Sequence, residues 1–133
     1  MFRLRLALPA LALLMMAASQ PQSQSQSQPQ QIDVQLSNFK FAPPDIAMSA
    51  GQPYVLHLTN TADGGHDFAA KSFFTAADVA PEDRAKIKDG KIELKGGESV
   101  DIHLTAPAAG SYEVHCSHFM HATFGMVGKI VVS

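Results

Sequence analysis

Residues 111–132 have the sequence SYEVHCSHFMHATFGMVGKIVV, in which two segments with alternating apolar residues flank a loop. Successive side chains of a strand point to opposite faces of a sheet, so this alternation is typical of a half-buried strand. In the first segment it places Tyr112, Val114 and Cys116 on the inner face and Glu113 and His115 on the outer face. The stretch therefore predicts two strands whose connecting loop begins at an inward-facing thiol.

Five other segments are rich in strand-forming residues, and turns containing Gly or Pro separate several of them. They are residues 32–36, 45–50, 54–60, 91–94 and 99–105. About seven short strands, with turn signals every 8 to 12 residues, predict an all-β fold, an antiparallel sandwich of two sheets. Thr75, Pro81 and the helix-favouring residues 82–88 predict one short helix inserted between residues 75 and 88 and packed on the edge of the sandwich.

Two segments precede this domain. Residues 1–19 combine Arg3 and Arg5 with an apolar run and three small residues, which is the layout of a secretory signal peptide. The run is too short to span a bilayer of about 30 Å, so we expect cleavage near Ser19 and export to the periplasm, with retention as a membrane anchor as the alternative. Residues 20–31 contain only Gln, Ser and Pro and predict a disordered linker, which leaves residues 32–133 for the domain.

Composition excludes several classes of protein. The net charge of -2 and the scattered lysines form no basic stripe, so nucleic acid is not an expected partner. Structural zinc sites use several cysteines or a paired Cys2His2 set, whereas this chain has one cysteine. A cysteine nucleophile needs an exposed, activated thiol, and Cys116 is predicted to face inward. No enzymatic activity is expected, and a non-metal interaction module remains as an alternative.

The lone thiol begins a series of metal-binding side chains. Cys116, His121 and Met126 follow one another at intervals of five residues and offer a thiolate, an imidazole and a thioether. His66 is the best candidate for a fourth ligand, because Gly64 and Gly65 free the backbone before a histidine that begins a strand. Two imidazoles, one thiolate and a long thioether suit copper that cycles between its +1 and +2 states. The sequence therefore predicts one copper ion.

With these residues the domain resembles the cupredoxins, the family of blue, type 1 copper proteins. The pattern runs from Tyr112 through Cys116, His121 and Met126 to the final strand, and its loop spacing is similar to that of rusticyanin and auracyanin. The resemblance implies a Greek-key β-sandwich and copper ligation by His66, Cys116, His121 and Met126. Family members often carry Asn after the first histidine, whereas this chain has Asp67. Its N–H can donate to the thiolate and its carboxylate can bond the ligand loop, or it merely caps a turn.

The histidines beside the thiol need separate assignment. His118 stands two residues after Cys116, a spacing that matches neither common arrangement of the second imidazole, so His121 is the expected ligand and His118 a solvent-facing loop residue. His57, His103 and His115 are expected on outer faces. A second soft or borderline ion bound by His115, His118 and Met120 is the alternative.

Two functions are compatible with this site. The first is a soluble, monomeric, periplasmic carrier of one electron at a time. It would meet transient redox partners through an apolar patch formed by Phe119, Met120, Ala122, Phe124 and Gly125. The second is binding of periplasmic copper for tolerance or sequestration, which the extra histidines of the loop favour. No membrane contact is expected after removal of the signal.

Overall fold

The computed structural model describes residues 19–21 and 27–133. Except for Ser19, the predicted signal peptide lies outside the described residues, and so do residues 22–26 of the predicted linker. Within the described ranges, no helix is long and apolar enough to cross a membrane.

In the part of the chain that the structure describes, ten strands form two five-stranded sheets. In chain order they are β1 (Gln30–Ser37), β2 (Lys40–Ala42), β3 (Asp45–Met48), β4 (Pro53–Asn60), β5 (His66–Ala69), β6 (Asp78–Val79), β7 (Lys91–Leu94), β8 (Ser99–Thr105), β9 (Gly110–His115) and β10 (Val127–Val132). One sheet has the order β2-β1-β4-β8-β6 and the other the order β3-β10-β9-β5-β7. The β-sandwich predicted from the alternating residues is confirmed.

The inner faces of both sheets meet in one apolar core. Leu56 and Leu58 of β4 and Ile102 of β8 are fully buried on one side, and Phe68 of β5 and Ile130 of β10 on the other. Their removal from water is the main source of the stability of such a fold. Cys116, directly after β9, belongs to the same buried set, as its position in the alternation predicted.

Three details of the prediction are wrong. The sandwich is not purely antiparallel, because β1 pairs with β4, and β3 with β10, in parallel. The count of about seven omitted β2 and β6, which have only three and two residues and carry too little alternation to be recognised. The strand expected to begin at His66 was not included in that count and is present as β5. The first strand begins at Gln30 rather than Ile32, because pairing with β4 uses backbone groups and needs no apolar side chain.

The predicted helix is also placed differently. The structure has an α-helix, α1 (Lys71–Ala76), followed after β6 by a 3₁₀ helix (Pro81–Lys86). Thr75 lies in the last turn of α1 and donates from Oγ1 to the carbonyl oxygen of Lys71, so it caps nothing downstream. The helix α1 begins at Lys71, earlier in the sequence than predicted, because a helix at this position buries both Phe73 and Phe74 in the core.

A buried carboxylate attaches the 3₁₀ helix to β8. Asp83 is only 2% exposed and accepts hydrogen bonds from the backbone N–H of His103 at 2.8 Å and from Lys86 Nζ at 2.6 Å. His103 Nδ1 also lies 2.8 Å from this carboxylate. Burial alone would raise the pKa of Asp83, but the hydrogen bonds from Lys86 and His103 outweigh it and lower the pKa to about 2. The ionised form is therefore the one that stabilises the fold.

We expect Asp83→Asn to lower the free energy of unfolding by about 1–3 kcal/mol at pH 7, because the donors on Lys86 and His103 lose their buried charged acceptor. The folded pKa lies below the unfolded value of about 3.9, so the stabilisation is present above pH 4 and is lost as the pH falls towards 2. Urea unfolding at pH 7 and near pH 2 measures both effects. Asp78→Asn, at an exposed carboxylate 3.8 Å from Arg84 Nη2, is the matched control. An equal loss of unfolding free energy in both variants at pH 7 would contradict the stabilising role of the buried Asp83 carboxylate.

Candidate metal centre

Three metal-binding atoms converge at one end of the second sheet. His66 is the first residue of β5, and Cys116 directly follows β9, which is the neighbour of β5 in the sheet. His121 lies in the loop after Cys116. The Nδ1 atoms of the two histidines are 3.2 Å apart, and Cys116 Sγ lies 3.9 Å from that of His66 and 3.3 Å from that of His121. The structure thus brings together three residues that the sequence placed 55 positions apart at most.

The size of this triangle fits a metal ion. The point equidistant from the three atoms lies about 2 Å from each, close to the length of a metal–imidazole bond. Met126 is fully buried and adjoins the group, because its N–H donates to the carbonyl oxygen of His121 and its own carbonyl accepts from the N–H of Cys116. One thiol and two imidazoles, on a segment joined to the buried Met126 by these backbone bonds, offer a donor set that fits type 1 copper.

The site is shielded from water on its inner side. Cys116 and His66 are 1% and 2% exposed, whereas His121 is only partly buried. Burial raises the pKa of the Cys116 thiol. Hydrogen bonds from the backbone N–H groups of Asp67 and His118 lower this pKa, but the effect of burial is larger. Burial also lowers the pKa of His66, and the neighbouring His121 and His118 lower it further. Both histidine effects favour a neutral imidazole, which is the form that binds metals.

Asp67 joins the two ligand-bearing segments. Its backbone N–H points at Cys116 Sγ, at 3.5 Å, and its carboxylate accepts from the N–H of Ser117 at 2.7 Å and from the Ser117 hydroxyl. Asp67 is 1% exposed, so these contacts are protected from water. Both interactions considered from the sequence, with the thiolate and with the ligand loop, are present. Asp67 therefore holds the start of the ligand loop as well as contacting the sulfur.

Asn60 is a supporting residue that sequence reasoning missed. Its side-chain amide donates to the carbonyls of Gly64 and Leu94, at 2.8 and 3.1 Å, and its Oδ1 accepts from the N–H of Ala62. These bonds fix the loop that leads into His66. A signal was available, because Asn60 continues the buried face of Tyr54, Leu56 and Leu58, where a polar side chain must find partners.

The glycines before His66 act differently from expectation. Neither Gly64 nor Gly65 has a positive φ, and a Cβ on Gly64 would meet nothing within 4 Å. The glycine that this loop requires is Gly96, whose Cβ would lie 2.1 Å from the carbonyl oxygen of Asp63. The close approach of two loops, rather than freedom at residues 64–65, positions the chain before His66.

The additional histidines lie in different surroundings. His118 is partly buried, and its Nε2 lies 2.9 and 3.0 Å from the two carboxylate oxygens of Glu93. With Asp67 these residues form a second group whose ligand atoms lie within 4.8 Å of one another. His115 lies exposed on β9 as expected and belongs to neither group found among the described residues. Met120 is 40% exposed.

Two sheets packed as a sandwich, with a Cys–His–His group at one end, define a β protein built around a metal centre. The chain belongs to the cupredoxin-like domain family, whose sequence model matches residues 7–132. The resemblance drawn from the ligand pattern is confirmed. No protein of curated function matches the sequence.

Solved structures share this fold at low sequence identity. Reduced auracyanin from the photosynthetic bacterium Roseiflexus castenholzii is 20% identical with a TM-score of 0.59, over 77% of this chain and 96% of that one. Auracyanin A from Chloroflexus aurantiacus, a "blue" copper protein, is 22% identical with a TM-score of 0.58, over 80% and 100%. A multicopper oxidase from Pseudomonas thermotolerans is 18% identical with a TM-score of 0.61, over 79% of this chain but 30% of the enzyme. These likenesses confirm the β-sandwich.

We expect Asp67→Ala to loosen the start of the ligand loop in the metal-free protein, because Ser117 N–H loses its acceptor. The free energy of unfolding should fall by about 1–3 kcal/mol, and Cys116 should react faster with a small thiol reagent under native conditions. Asp67→Asn keeps an acceptor for Ser117 N–H, so its free energy of unfolding and its thiol reactivity should stay close to those of the original protein. Equal thiol reactivity in all three proteins would contradict the role of Asp67.

Proposed function

We propose that this protein is a periplasmic type 1 copper protein that carries one electron at a time between transient redox partners. The observation that carries the proposal is the convergence of Cys116 Sγ with the Nδ1 atoms of His66 and His121, between 3.2 and 3.9 Å apart, at a buried sheet end. His66, Cys116, His121 and the thioether of Met126 are the proposed ligands. Copper, when bound, supplies the Cu(II)/Cu(I) couple.

The protein contributes a frame that resists rearrangement. Cys116 is held by the Asp67 N–H at its sulfur and by hydrogen bonds that fix Ser117 directly after it. The loop before His66 is held by Asn60. Because these partners are buried, the donor atoms stay in place when the charge of the centre changes. Small rearrangement favours fast electron exchange over chemistry on a bound substrate.

The outer side of the site gives an electron a short exit. His121 is the partly exposed ligand, and two apolar residues of the same loop, Phe119 and Phe124, are 90% and 61% exposed. An exposed apolar patch beside a ligand suits brief contacts with another redox protein, since small interfaces release quickly. The net charge of -2 gives no support for nucleic acid as a partner.

Export and the absence of catalysis are parts of the same proposal. Residues 1–19 have the layout of a signal peptide, and a lone thiol in an oxidising compartment is protected when it binds a metal. Electron transfer needs one copper centre, and the proposed ligands form one. The likeness to the multicopper oxidase covers only 30% of that enzyme's chain. A carrier of this kind is expected to act as a monomer.

The proposal is tested by adding one equivalent of Cu(II) to the purified protein. We expect an intense visible absorption from the thiolate and reversible one-electron reduction. Cys116→Ser should abolish the absorption and leave a folded sandwich, because Ser is close to Cys in size and the other apolar side chains of the core are kept. Met126→Leu, the matched control, should keep the thiolate absorption and raise the potential, because a weak donor is lost. A colourless Cu(II) complex of the original protein would overturn the proposal.

Copper binding for tolerance or sequestration is a second candidate, favoured by the group of Asp67, Glu93 and His118. Two carboxylates and an imidazole suit a borderline divalent ion. If this function holds, titration should give a second equivalent of bound copper that is lost in His118→Ala and kept in His57→Ala. Uptake that stops at one equivalent in all three proteins would exclude this second function and favour a pure carrier.

A further inference from the structure

The turn between β1 and β2 contacts both imidazoles of the metal centre. Ser37 and Lys40 pair across this turn, which leaves Asn38 and Phe39 at its tip. Asn38 Oδ1 lies 3.4 Å from His66 Nε2. The ring of Phe39 packs edge-on against the imidazole of His121, with 5.1 Å between centroids and an interplanar angle of 81°. A two-residue turn thus supports the two histidine ligands from outside.

The backbone of Phe39 is unusual for a bulky residue. Its φ is +61°, in the left-handed region that glycine and asparagine occupy more readily. Burial does not explain this conformation, because Phe39 remains 43% exposed. Strained residues of this kind cluster at functional sites, where the surrounding structure holds them. The residue with the strained backbone is therefore also the one that packs against His121, the partly exposed ligand.

A second aromatic contact fixes the ring of Phe39 from the ligand loop. Phe124 packs against Phe39 with 5.4 Å between centroids and an angle of 60°. His121, Phe39 and Phe124 thus form a row in which Phe39 is the central ring. Edge-to-face pairs of this kind favour one ring orientation beyond what apolar burial alone provides.

The Asn38 contact selects the orientation of the other histidine. When His66 Nε2–H donates to Asn38 Oδ1, Nδ1 carries the lone pair and faces Cys116 and His121. A partner on the outer nitrogen is the usual way in which a protein orients a metal-binding imidazole.

We infer that the Asn38–Phe39 turn is a positioning element for the metal centre. Phe39 seats the His121 imidazole and covers it from water, and Asn38 orients His66. The inference rests on the proposed function for its consequences at copper, but the seating of His121 is a property of the polypeptide alone. Phe39 therefore limits the access of small external ligands to the exposed side of the site.

Phe39→Gly tests the inference, because glycine adopts the φ of this position without strain while the ring is lost. Phe39→Asn is a second variant that also tolerates this backbone, in case the glycine variant folds poorly. Lys40→Ala, an exposed neighbour on the same hairpin, is the matched control. NMR of the metal-free proteins follows the Hε1 proton of His121. We expect one ring-current-shifted signal in the original protein and in Lys40→Ala, and a loss of that shift with averaging in both Phe39 variants.

The second measurement is titration of the Cu(II) proteins with azide. Loss of an aromatic contact should raise the azide affinity of the Phe39 variants by roughly three- to tenfold and leave Lys40→Ala unchanged. Unchanged His121 signals and azide affinity in both Phe39 variants would overturn the inference while leaving the proposed function intact. If the original protein gives no thiolate absorption with Cu(II), the proposed function fails, and the NMR comparison still decides whether Phe39 seats His121.

Discussion

The hydrogen bonds that join Asp67 to Cys116 and Ser117 tie together the ends of two neighbouring strands. One strand carries His66 and the other leads into the loop that carries His121, so the separation of these ends sets the separation of the metal-binding atoms. A carboxylate that is 1% exposed can bear this role because both its oxygens have donors. The sandwich supplies rigid strands, and Asp67 fixes how they meet.

The rest of the site is arranged around that link in order of exposure. His66 and Cys116 are buried against the core, Met126 adjoins them through backbone hydrogen bonds, and His121 alone reaches the surface. This gradient keeps the soft donor atoms away from water, and under the proposed function it would let an electron leave through His121. At the exposed end, the ring of Phe39 packs edge-on against the imidazole of His121.

Sequence reasoning recovers the parts of this arrangement that repeat or are chemically distinctive. Period-2 alternation places Cys116 inward and His115 outward, and the rarity of a lone thiol near His121 and Met126 points to metal binding. The parts it misses depend on long-range contact. The turn at Asn38 and Phe39 reaches residues 28 and more positions away, and no local pattern marks that meeting. Helix α1 was misplaced because its formation depends on a core that only the tertiary fold creates.

The central claim is that one thiolate and two imidazoles bind a single copper ion in a frame that does not rearrange. X-ray absorption at the copper edge, recorded on the oxidised and the reduced protein, tests it most directly. The expected result is one short copper–sulfur distance and two copper–imidazole distances in both oxidation states, with little change between them. A site without a short sulfur distance, or one whose number of ligands changes on reduction, would contradict the claim.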